Sequence, residues 1–157
     1  MKFLFFMLSF GALTNSCNSS KINTLSNTHN DPENVQNDIS VTYTAMSRGD
    51  ALFINISKDS ISISEDRYMK DVEVYKCTKE DWQAISTLLK DIDYETLPKL
   101  KAPTDKRLYD GAPIAVLKIE YNNIAFSTPG FDHGFPPDKI QEIVNRMIAI
   151  KNTLKKE

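Results

Sequence analysis

Apolar and polar residues alternate with a period of two along "ISVTYTAM". Ile39, Val41, Tyr43 and Ala45 fall on one side, and Ser40, Thr42 and Thr44 on the other. That is the pattern of a strand with one face in a core and one in water. The same alternation runs through Leu52, Ile54 and Ile56 in "ALFINIS" and through Ile61 and Ile63 in "SISIS". A fourth strand is expected in "DVEVYKC", with Val72 and Val74 on one face. Short turn clusters separate these runs, so an antiparallel meander is the economical arrangement. Between the first two strands lies "RGD", residues 48–50. The adhesion-ligand reading of these three residues is set against a plain hairpin turn, with Gly49 expected to take the positive φ that such turns favour.

The period changes to that of a helix at Thr78. A capping threonine is followed three residues on by Asp81, a variant of the capping box, while Cys77 and Trp82 occupy the positions of a hydrophobic staple. Trp82, Ile85, Leu88, Leu89 and Ile92 then make one apolar stripe. A second stripe, Ile140, Ile143, Val144, Met147, Ile148 and Leu154, predicts a final helix. Pro136 is expected to cap it and Pro137 to open it, with Phe135 and Ile140 as a second staple.

Between the helices, "APIAVLKIEYNNIAFS" reads as two strands joined by Asn122 and Asn123, because asparagine tolerates the left-handed backbone of a two-residue turn. Ala115, Leu117, Ile119 and Tyr121 alternate, but Ile114 and Val116 are apolar too, which predicts a central strand covered on both faces near its start. The fold expected is α+β: an antiparallel sheet of about six strands with two amphipathic helices on one face, in the order ββββαββα. The order of strands within the sheet stays open.

The first residues do not share these patterns. Lys2 precedes an apolar run over residues 3–13, and small and polar residues lead to Cys17, the layout of an export signal. The run is shorter than the roughly 20 residues a membrane span requires. Its ending, "LTNSC", resembles the lipobox of bacterial lipoproteins, which implies a signal peptide over 1–16 and lipidation (palmitate) of Cys17. Thr14 and Asn15 depart from the usual pattern, so a secretory peptide cleaved nearby is the alternative. A Cys17–Cys77 bridge would be its mark, these being the 2 cysteines of the chain. Residues 18–38 are polar and asparagine-rich, so the stretch 17–38 reads as an anchor and flexible tether, and 39–157 as a single globular domain. The Asn/Lys/Ile-rich style and the "FDHG.PP" segment resemble uncharacterised lipoproteins of Bacteroidota-type bacteria. That resemblance implies an outer-membrane, periplasm-facing location, since the first acid after Cys17 is Asp31.

With a formal charge of −2 and no basic stripe, nothing suggests nucleic acid. The stretch most like an active site is "STPGFDHGFPPDK", residues 127–139. Its quiet reading gives the Asp132 carboxylate to the amide of Gly134 in an Asx turn, with Phe131 and His133 anchoring the loop. Its sharper reading makes Asp132 and His133 weak catalytic candidates. Acid–base work would need a further group in reach, and Asp105, Tyr109 and Asp110 are available. No metal is expected, because Asp132 and His133 are adjacent and the other histidine, His29, lies in the tether; no cofactor is expected either. Cys77 is read as a packed thiol with nothing nearby to activate it.

A proline-marked connection carries Lys101, Asp105, Lys106, Arg107, Tyr109 and Asp110, a candidate binding loop. The function expected is a membrane-tethered periplasmic binding or interaction module, touching its ligand through an exposed sheet face or this loop. Its partners would be the bacterial membrane, through the lipid, and an envelope protein. The alternatives are an envelope hydrolase using Asp132 and His133, and a lipoprotein immunity factor or enzyme inhibitor.

Overall fold

The alternating stretches become strands in a computed structural model that describes residues 39–156. β1 (Ile39–Met46), β2 (Ala51–Ser57), β3 (Ser60–Ser64) and β4 (Val72–Lys76) form the meander. α1 (Lys79–Lys90) follows, then β5 (Ile114–Tyr121), β6 (Ile124–Ser127), a two-residue β7 (Phe131–Asp132) and α2 (Asp138–Leu154). The expected signal peptide, Cys17, the tether and His29 lie outside the described residues.

The fold is α+β, with an antiparallel sheet of seven strands. The order is β4-β3-β2-β1-β5-β6, and β7 pairs with the start of β5, at Ile114 and Ala115, on the edge that β6 uses further along. The long-range pairing of β1 with β5, Val41 opposite Ile119 and Tyr43 opposite Leu117, joins the meander to the late hairpin.

Because side chains alternate across a strand, the register sorts the sheet into two faces. Val41, Tyr43, Ala45, Ile54, Ile56, Ile61, Ile63, Ala115, Leu117 and Ile119 lie on one face and are buried. They share a core with Trp82, Ile85 and Leu89 of α1 and with Ile140, Ile143, Val144, Met147 and Ile150 of α2. The other face presents the row Val74, Ser62, Asn55, Thr42, Lys118 and Ser127. Beside it run Val72, Ser64, Phe53, Thr44 and Val116. The apolar pair of β4 is therefore on the open face: Val72 and Val74 are exposed, while Tyr75 turns toward the core.

The helix starts follow the capping chemistry. Thr78 accepts the amide of Asp81 at 3.1 Å, and its hydroxyl donates to the Asp81 carboxylate at 2.8 Å. Arg146 of α2 then holds the same carboxylate at 2.9 Å, tying the two helices together. α2 begins one residue later than the proline pair predicts, with Pro137 in the capping position and Ile140 donating to the Pro137 carbonyl. Phe135 forms no staple. It is exposed, and the Lys106 ammonium sits 3.8 Å from the centre of its ring.

Two further expectations are corrected. The turn over residues 47–50 closes through Ser47, whose amide donates to the Asp50 carbonyl at 2.9 Å and whose hydroxyl accepts the Asp50 amide at 3.0 Å; Gly49 does not take a positive φ. And β5 is central in the sheet but covered on one face only. Ile114 is 51% exposed and Val116 half-buried, because among the described residues no helix crosses the opposite face at the start of this strand.

Candidate functional site

Asp132 organises one end of the molecule. Its carboxylate is fully buried, yet it does not bond the Gly134 amide in an Asx turn. It reaches back to the connection after α1, where it accepts the amides of Lys106 at 2.7 Å and Arg107 at 2.9 Å, the Thr104 hydroxyl, and the Arg107 guanidinium at 3.2 Å. The reversal beyond it is made by the backbone: Phe135 donates to the Asp132 carbonyl at 2.9 Å, and Gly134 takes φ 84°. Burial alone would raise the carboxyl pKa, but the Thr104, Arg107 and Lys106 donors outweigh it and hold the group at about 2. A four-donor carboxylate that stays ionised near neutral pH is an anchor for a loop.

The loop it anchors is the short helical turn Lys106–Tyr109. Arg107 spans from Asp132 to Asp105, 3.2 Å away, and also donates to the Thr104 carbonyl at 2.6 Å. Asp110 ends the turn in the left-handed conformation, φ 58°. Gly111 follows, where a Cβ would come within 2.8 Å of the exposed Tyr109 ring and 3.1 Å of the Lys106 carbonyl. Of the candidate loop residues, Arg107 and Asp110 are brought to a common surface. Tyr109 is exposed beside them, Asp105 and Lys106 serve the loop itself, and Lys101 stands apart on an exposed stretch.

That surface is a groove of about 630 Å³ over the open sheet face. Its floor is Thr44, Met46, Ile114 and Val116, with Ala112 at the side, and its rim carries Arg48, Arg67, Arg107 and Asp110. Arg48 comes from the β1–β2 turn and meets Asp110 at 3.8 Å, so the two walls touch. Arg67 donates to the Ser47 carbonyl of the same turn. Volume and apolar lining are those of a small-ligand site.

His133 faces elsewhere. Its Nδ1 lies 2.7 Å from the hydroxyl of Tyr43, a fully buried residue, and its backbone amide donates to Pro113 at 2.9 Å. Burial lowers the imidazole pKa and the nearby Lys151 ammonium lowers it further, so the ring is held neutral. Burial raises the Tyr43 phenol well above its ordinary range, so the phenol stays protonated in this hydrogen bond, with the imidazole tautomer setting which partner donates. Asp132 and His133 thus have separate partners, and the carboxylate does not orient the imidazole. Among the described residues, no group of three or more His, Cys, Asp or Glu side chains is gathered as a metal site. Cys77 is buried, its thiol pushed up to about 11 by burial and by Asp81 and Asp59.

The groove residues Met46, Arg48, Arg67, Ile114 and Val116 do not stand out as site residues in the sequence. The available signal was the unbroken apolar run at the start of β5, which the sequence pattern assigns to a second covered face. Compared with protein-family models, with curated proteins and with solved structures, the chain finds no match.

Proposed function

We propose that this protein is a binding module that takes its ligand in the groove over β1 and β5, held at the bacterial envelope by a lipid on Cys17. One observation carries the binding reading: an apolar sheet face, Met46, Ile114 and Val116, that the described residues leave uncovered between two walls held by the buried Asp132 and the Ser47 turn. Uncovered apolar surface within a rigid, charged rim is what a recognition site offers. The anchor rests on the lipobox-like "LTNSC" and the polar stretch that follows it.

Two measurements test the two halves. Mass analysis of the purified native chain should find acyl mass on Cys17, removed by Cys17→Ser; a processed chain without acyl mass refutes the anchor. Fractionated envelope extract should raise the melting temperature of the wild type but not of a folded Val116→Glu variant. Equal responses of the two proteins would sink the groove.

A further inference from the structure

The groove has an apolar floor, charged walls and one arginine, Arg67, that no acid among the described residues pairs, and from these we infer that it binds a compact ligand bearing a single carboxylate on an apolar body. This rests on the binding-module reading above and names the ligand class for it.

The pairing of charge selects a single carboxylate. Arg107 is matched by Asp132 and Asp105. Arg48 faces Asp110 at 3.8 Å. Arg67 lines the groove too, but its guanidinium is held by a neutral group, the Ser47 carbonyl, and among the described residues no acid pairs with it. The Arg67 guanidinium therefore lines the groove without an acid partner, together with Met46 and Ile114, which are 38% and 51% exposed. A guanidinium presents donors in a planar fork that fits a carboxylate. With most of the rim already neutralised and a formal charge of −2 on the chain, there is no extended basic field for a polyanion or an anionic lipid surface.

The geometry selects a compact ligand. Arg48 and Asp110 belong to opposite walls and touch, so a chain running the length of the groove would have to part them. A ligand entering from the open side needs only to set its apolar body on Ile114, Val116 and Met46 and its carboxylate on Arg67. Arg48 then becomes a second donor, and Asp110 the ligand carboxylate's competitor for it.

Asp110 makes the inference testable in the direction opposite to a simple loss. Asp110→Asn removes the competitor, and asparagine suits the left-handed backbone at φ 58°. The probe is phenylbutyrate, with phenylbutanol as the uncharged control, titrated into the whole chain carrying Cys17→Ser and followed by the methyl signals of Met46, Ile114 and Val116. The acid is expected to move these signals. Arg67→Gln should weaken it roughly tenfold, the worth of one charge-assisted contact, and Asp110→Asn should tighten it several-fold. Equal binding of the alcohol, signals that do not move, or an Asp110→Asn variant that binds no tighter would overturn the inference. If the acid fails while envelope extract still stabilises the wild type and not Val116→Glu, the ligand class is wrong and the groove stands; if both fail, both readings fall.

Discussion

Arg107 and Asp132 meet at 3.2 Å with the carboxylate wholly out of water, and through this contact β7 at the sheet edge fixes the loop that walls the groove. Removing one member of such a pair leaves the rest of its donors facing a group that cannot answer them. Asp132→Asn is expected to cost about 3 kcal/mol, read as a lowered denaturation midpoint, and to free the segment around Arg107, read as faster amide exchange at Lys106 and Arg107. A stability loss with exchange at those two amides unchanged would mean that the carboxylate supports the core and not the loop.

The same carboxylate sets a pH dependence. Its folded value, about 2, lies below the ordinary aspartate value of 3.8, because the hydrogen bonds outweigh burial. The ionised form is the one the fold binds, so the stabilisation is complete above about pH 4 and is lost as pH falls toward about 2. The wild type should lose stability steeply across that window, and Asp132→Asn, which has no such group, should lose markedly less there. Parallel acid profiles would show that other carboxyls govern acid unfolding.

Much of this architecture was legible in local pattern. β1, β2 and β3 span the alternating runs residue for residue, and Asn122 and Asn123 take φ 49° and 63°, as the turn between β5 and β6 requires. What local pattern does not carry is who covers whom. Val72 and Val74 look like a core face, yet β4 is the edge strand and among the described residues no helix lies above its open face. Ile114 and Val116 looked doubly covered for the same reason. The partners of Asp132 lie 25 to 28 residues back along the chain, so a reading confined to neighbours gave its carboxylate to Gly134. The site is a tertiary product of these three facts. Its ingredients were visible; their meeting was not.

Cys77 supplies a prediction about reactivity. The thiol is 6% exposed, raised to about 11 by burial first and by the Asp81 and Asp59 charges next, and it donates to the Thr78 carbonyl at 3.6 Å. Thiolate is the reactive form, so at neutral pH very little of it exists in the fold. In a Cys17→Ser background, maleimide labelling of the native protein should be slow and should become fast on unfolding. Rapid native labelling would show that the start of α1 opens readily, since the packing of Cys77 with Trp82 is what keeps reagent out.

His133 should titrate below the ordinary histidine value of 6.5, since burial disfavours the charged ring and Lys151 repels it. The folded value lying below the unfolded one, the fold binds the neutral ring: its contribution is complete above about pH 6.5 and is lost as pH falls below that. Lys151 is itself held 2.7 Å from Glu65, which lines the same recess as His133. Lys151→Met therefore removes a repelling cation and releases an attracting anion. The imidazole titration midpoint, followed by its ring signals, should rise in that variant, while Tyr43→Phe should cost about 1 kcal/mol of stability by taking away the hydrogen-bond partner of Nδ1. A midpoint unmoved by Lys151→Met would leave burial as the sole cause of the shift and would remove the charge of α2 from any account of this corner of the molecule.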